Sequence, residues 1–139
     1  MITNEMRDQL IAMARQAAQN AYVPYSHFKV GAAILGEGGG IYTGCNVENA
    51  SLGLTICAER NACTTMVAQG ERRIAAVAIY GGERGGDAAP CGACRQFMLE
   101  FADEALEAPL FFAGRDGGFV TSSFQEICPY PFRSFAGND

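Results

Sequence analysis

The chain has 139 residues, 49% hydrophobic and 18% charged, enough for one domain with its own core and unlike a disordered or fibrous chain. Its net charge is -5 and its ten Lys and Arg residues are scattered, with only Arg72 and Arg73 adjacent, which argues against a nucleic-acid surface and for a small neutral substrate. No apolar run reaches the ~20 residues that span a bilayer, and residues 1–8 are polar, without the basic and apolar regions of an export signal.

Met6, Leu10, Met13, Ala14 and Ala17 recur at helical spacing and predict an amphipathic helix over residues 4–21. Pro24 stops it, and Tyr25 and Ser26 fall in the turn that follows. Residues 28–35 read as a strand, 36–40 as a tight turn and 41–47 as a returning strand, together a hairpin. Residues 57–69 have helical character, with Gly70 as a C-terminal stop. Residues 74–80 form a short apolar run expected of a buried strand, and 81–89 a flexible loop. A helix over 91–101, strands over 109–113 and 119–122, and a short helix over 124–128 before Pro129 complete the pattern. No linker, repeat or low-complexity tract divides the chain, so residues 1–139 are read as one domain. Alternating helices and strands imply an α/β domain with helices covering a mixed sheet.

Two thiol sites carry the chemistry: Cys57-Ala58-Glu59, and Pro90-Cys91-Gly92-Ala93-Cys94. Six cysteines in a chain read as cytoplasmic favour thiols and metal over disulfides. Three thiolates can hold Zn²⁺ and leave its fourth position for water, and a carboxylate that is not a ligand can move protons there. Both groups fall at predicted helix starts, where free N–H groups and the helix dipole favour thiolate, and Pro90 suits such a start. Three thiolates and one Zn²⁺ sum to -1, a weak Lewis acid unless neighbours offset the charge. Arg60 and Arg95, each directly after a motif, are candidates to donate to the sulfurs. Glu59 is also what a first helical turn favours electrostatically; its place two residues after a ligand cysteine points instead to acid–base work. A redox CxxC would not need Cys57. A structural zinc would need a fourth ligand from His27, Cys45, Cys63 or Cys128. Cys63 lies about 240° around the helix from Cys57 and points away. Cys45, Cys63 and Cys128 read as small core residues, and His27 as a surface residue in a turn.

These motifs resemble those of the zinc-dependent cytidine deaminase family, of the short, tetrameric kind. The likeness runs over nearly the whole chain, through residues 21–33, Gly44-Cys45-Asn46-Val47-Glu48-Asn49-Ala50-Ser51, Cys57-Ala58-Glu59-Arg60 and Pro90-Cys91-Gly92-Ala93-Cys94-Arg95-Gln96. The resemblance implies a three-layer α/β/α fold with a mixed, about five-stranded sheet. It implies one zinc per chain on Cys57, Cys91 and Cys94, with Glu59 as the catalytic proton carrier in hydrolysis of cytidine and deoxycytidine to the uracil nucleosides and ammonia. It assigns the ribose hydroxyls to Asn46 and Glu48, the pyrimidine face to Phe28 and base contacts to the backbone of Ala58. Phe132 matches an aromatic that reaches a neighbouring subunit's pocket, which implies a homotetramer with shared active sites. Two departures stand out. Leu52 replaces a tyrosine whose hydroxyl helps bind the sugar, and Ile127-Cys128-Pro129 replaces Leu-Leu-Pro. Deamination of another aminopyrimidine nucleoside, or a non-catalytic zinc-stabilised protein, are the competing readings.

Overall fold

A computed structural model describes residues 2–82, 87–114 and 116–135. Helix α1 (Asn4–Ala18) starts at Thr3, whose hydroxyl accepts from the Met6 N–H and so satisfies one of the free donors of the first turn. It ends three residues before the sequence pattern suggests. The chain tightens into three-residue turns, Gln19 N–H to Gln16 O and Asn20 N–H to Ala17 O. The residues beyond are recruited elsewhere: Tyr22 exchanges backbone hydrogen bonds with Asn46 and Glu48. Pairing across the fold, more than Pro24, sets this boundary.

Strands β1 (Val30–Gly36) and β2 (Ile41–Cys45) form the expected hairpin. Strand β2 stops at Cys45, short of residue 47, and Val47 instead makes isolated bridges to Tyr22 and Ile56. A 3-10 turn (Leu52–Leu54), not anticipated from sequence, separates this ribbon from α2 (Ala58–Ala68). Strand β3 (Ile74–Gly81), helix α3 (Gly92–Leu99), strands β4 (Pro109–Ala113) and β5 (Phe119–Ser123) and the one-turn α4 (Phe124–Ile127) follow. The loop expected over 81–89 includes residues 83–86, which lie outside the described residues.

The sheet order is β2-β1-β3-β4-β5. All neighbours are antiparallel except β3 and β4, whose parallel pairing requires the crossover that α3 supplies. Strand alternation sorts the core into two layers. Ala33, Leu35, Ala76 and Ala78 face Leu10 and Ala14 of α1, while Ala32, Ile34, Val77 and Ile79 face Ala62 and Met66 of α2 and Met98 of α3. The result is the three-layer α/β/α arrangement around a mixed five-stranded sheet. Helix α2 lies directly on β2 at Gly44, where a Cβ would come within 2.4 Å of the Ala62 nitrogen. No helix among the described residues is long and apolar enough to cross a membrane.

Candidate active site

Cys57 is the N-cap of α2 and Cys91 the N-cap of α3, both in extended backbone, and neither side chain is spent on capping. Cys94 lies one turn into α3, three residues after Cys91, on the same helix face. Two helix starts thus bring three sulfurs together from sequence positions far apart. The Sγ of Cys91 is 3.9 Å from that of Cys57 and 3.5 Å from that of Cys94, and all three lie within 4.8 Å of one another. Tetrahedral zinc with Zn–S near 2.3 Å sets its sulfurs about 3.8 Å apart, a separation that the 3.5 and 3.9 Å distances from Cys91 bracket. Among the described residues the group stops at three. His27 is exposed and sits at a positive φ of 58°, Cys63 is buried, and neither they nor Cys45 or Cys128 join the cluster.

The electrostatics separate these thiols from the rest. Cys57 is held down to about 5, first by a hydrogen bond from the Cys94 thiol and then by Arg60 and Cys91, against the opposing effect of burial. Cys94, the donor to Cys57 and itself buried, is raised. Burial alone pushes Cys63 up to about 12 and raises Cys45, while burial outweighs two nearby cations in raising Cys128. These three behave as neutral packing residues.

Arg60 donates through Nη2 to the Cys57 sulfur at 3.5 Å and to the Thr55 carbonyl at 3.2 Å. Its Nε is buried with no hydrogen-bond partner, leaving a spare donor beside a cluster built for negative charge. Arg95 departs from expectation. Its Nε donates to the Pro90 carbonyl at 2.7 Å and its Nη1 to the Ile127 carbonyl at 3.1 Å. It therefore braces the backbone that carries Cys91 rather than the sulfur itself. Long helical side chains lean back toward the N-terminus, which brings Arg95 onto the residue that precedes the helix.

Glu59 is 4% exposed and is the one buried charged residue among those described. Burial pushes its carboxyl up to about 7, the Cys57 thiolate adds to the rise, and its own backbone N–H and Arg60 oppose it. It stands outside the group of ligand atoms. A buried carboxyl raised well above the usual carboxylate range and set beside a metal-binding cluster is placed to accept and return a proton.

The remaining expected residues surround this centre in the following way. Asn46 follows β2 directly; its Oδ1 accepts from the Val30 N–H and its Nδ2 donates to the Phe28 carbonyl, both at 2.9 Å. Glu48 accepts from the Tyr25 and Ser26 N–H groups at 2.9 and 3.1 Å and from the Ser26 hydroxyl. These bonds hold its carboxyl below the usual carboxylate range, led by the Ser26 hydroxyl. The Phe28 ring lies against Gly81, where a Cβ would fall 3.1 Å from the ring and 2.7 Å from the Ala88 methyl. Ala58 is buried at the first position of α2. Phe132 is 64% exposed, and its carbonyl accepts from Gln96 Nε2 at 2.8 Å. Gln96 was visible in sequence only as the last residue of a motif; its partner lies 36 positions away.

Comparison with known proteins supplies the family context. Residues 4–107 match the model for the cytidine and deoxycytidylate deaminase zinc-binding region. The cytidine deaminase of Sporosarcina psychrophila is 40% identical over 125 residues, 90% of each chain. That of Halalkalibacterium halodurans is 39% identical over 133 residues, covering 96% of this chain and 98% of the relative. The crystal structure of cytidine deaminase from Burkholderia pseudomallei superimposes with a TM-score of 0.81 at 41% identity, over 94% of this chain and 100% of that one.

Proposed function

Because the chain belongs to the cytidine and deoxycytidylate deaminase family, we propose that it is a zinc-dependent enzyme that hydrolyses cytidine and deoxycytidine to uridine and deoxyuridine, with release of ammonia. The observation that carries this reading is the pairing of three clustered sulfurs with one buried carboxyl, Glu59, that is not among the ligand atoms. Zinc held by Cys57, Cys91 and Cys94 would acidify a water and hold it for attack on C4 of the pyrimidine.

The chain's own residues do the proton work. Glu59 takes one proton from the attacking water and gives it to ring N3. It takes the second from the new hydroxyl at C4 and gives it to the departing amino group. Both water protons are then accounted for, C4 becomes a carbonyl, and ammonia leaves. Arg60 offsets part of the thiolate charge through its bond to Cys57. Arg95 holds the Pro90 carbonyl and so the approach to Cys91.

Asn46 and Glu48 bind the ribose hydroxyls in this reading, Phe28 packs on the pyrimidine and the backbone of Ala58 meets the base. What supports the sugar assignment is rigidity: both polar side chains are already tied to residues 25–30. Their spare lone pairs and N–H group are therefore held in place before substrate arrives. Phe132 completes a neighbouring subunit's pocket within a homotetramer, a reading supported by its exposure together with that of Tyr22, Leu52 and Leu54. Residues 1–139 act as one catalytic domain in pyrimidine salvage in the cytoplasm, a reading supported by six cysteines none of which is paired in a disulfide.

The test is ammonia release by purified protein from cytidine, deoxycytidine and cytosine, with zinc measured per chain. Turnover of both nucleosides with about one zinc per chain is expected from a three-thiolate site. Activity on free cytosine without activity on the nucleosides would overturn the assignments of Asn46 and Glu48.

A further inference from the structure

Phe132 lies on a tail, residues 129–135, that forms neither helix nor strand, so its course depends on side-chain anchors. Arg133, next to it, is half-buried and turned inward while Phe132 is exposed. The Arg133 guanidinium bonds to four backbone carbonyls, one at the end of α3 and three in the segment just beyond it. Nη1 donates to Asp103 and Glu104 at 3.3 and 3.4 Å, and Nη2 to Leu99 and Ala102 at 3.5 and 3.0 Å. Each terminal nitrogen carries two N–H groups, so all four of these donors have an acceptor. Only the Leu99 carbonyl belongs to the last turn of α3, where a cation suits the negative end of the helix; the other three lie in the segment that follows it, and Ala102 also accepts from Arg73 Nη1.

The other anchors come from the same helix. Gln96 holds the Phe132 carbonyl, and Arg95 holds the Ile127 carbonyl. Helix α3 thus carries two metal ligands at its start, holds the end of α4 just before the tail through Arg95, and holds the tail itself at Phe132 through Gln96.

We infer that Arg133 is a positioning residue that locks the tail onto α3 and so presents Phe132, ready-placed, to the active site of a second copy of the chain. The inference rests on the reading of Phe132 given above. An aromatic side chain on a loose tail would have to be ordered on docking; a tail held at four carbonyls has already met that cost. A lysine in this place offers a point charge without the planar fork and cannot serve four acceptors together.

The test is a double-mutant cycle in the zinc-loaded enzyme. Arg133→Met should raise KM for cytidine by about 3- to 10-fold with little change in kcat, as expected when binding rather than chemistry is affected. Phe132→Ala should do at least as much. The double variant should be no worse than Phe132→Ala alone, because Arg133 acts only through Phe132. Arg133→Lys, which keeps the charge, should follow the same pattern if Arg133→Met does not fold.

A second readout uses the absence of tryptophan from the chain. In Phe132→Trp the single indole should emit at a blue-shifted wavelength, and adding Arg133→Lys should shift that emission to the red. Arg133 and Phe132 effects that multiply, or an indole emission indifferent to Arg133, overturn the inference while the role of Phe132 stands. A wild-type KM in Phe132→Ala overturns the reading of Phe132 and the inference with it.

Discussion

Arg60 places its Nη2 3.5 Å from the sulfur of Cys57, three residues earlier at the same helix start. We propose a chemical purpose for the contact. Three thiolates donate so much charge that the metal they hold is a poor Lewis acid, and a hydrogen bond to sulfur withdraws some of it. Arg60→Gln in the zinc-loaded enzyme should therefore lower kcat by about 10- to 100-fold, the usual cost of losing such a supporting contact. A zinc-loaded variant with wild-type kcat would exclude this role.

Glu59→Gln preserves volume and one acceptor but cannot carry a proton. It should keep its zinc, since Glu59 is not among the clustered ligand atoms, and lose about 10²- to 10⁴-fold in turnover, the range for a general acid–base. Metal content and kcat measured on one preparation decide it. Retained turnover would remove Glu59 from the mechanism, and lost zinc would make it a ligand.

Much of this site was legible in the sequence because its logic is local. Pro90 and the apolar spacing after Cys57 mark two helix starts, and the three-residue interval from Cys91 to Cys94 puts both sulfurs on one face. Which layer Ala33 and Ile34 join was not legible, because β1 is apolar throughout and buried on both faces. What escaped depends on partners far along the chain. Arg60 and Arg95 have similar neighbours in sequence, yet one meets sulfur and the other meets the carbonyls of Pro90 and Ile127. The end of α1 is decided by Tyr22 pairing with Asn46 and Glu48. The turn at Leu52–Leu54 leaves both leucines exposed, and no periodicity announces it.

Gly44 tests how closely α2 must approach the sheet. A Cβ there would lie 2.4 Å from the Ala62 nitrogen and 2.8 Å from the Ala58 carbonyl oxygen, backbone atoms of the helix that carries Glu59. Neither can swing aside as a side chain would. Gly44→Ala should cost about 1–3 kcal/mol through overpacking and lower the melting temperature by about 3 to 10 °C in a chain of this size. Gly118→Ala, where a Cβ would meet only the Asp116 side chain, at an ordinary 3.4 Å, is the control. Equal melting temperatures for the two variants would show that α2 has slack.

Glu71 gives the acid limb of stability a specific source. Its carboxylate accepts from the backbone N–H groups of Gly38, Arg72 and Arg73 at 2.8, 3.1 and 3.3 Å, tying the β1–β2 turn to the segment before β3. These bonds, Gly38 first, hold its pKa below the ordinary 4.5. The sign follows from linkage: a depressed carboxylate adds stability that is fully present above the unfolded value. It is lost as pH falls from 4.5 through the lower folded value, because the unfolded chain takes up the proton first. Glu71→Gln should be less stable than wild type at neutral pH, and the difference should shrink as pH falls from about 5 to about 3. Denaturant midpoints of the two zinc-loaded proteins across that range measure it, and zinc loss at low pH affects both alike. A difference that stays constant with pH would mean that the carboxylate's charge contributes nothing to the turn it holds.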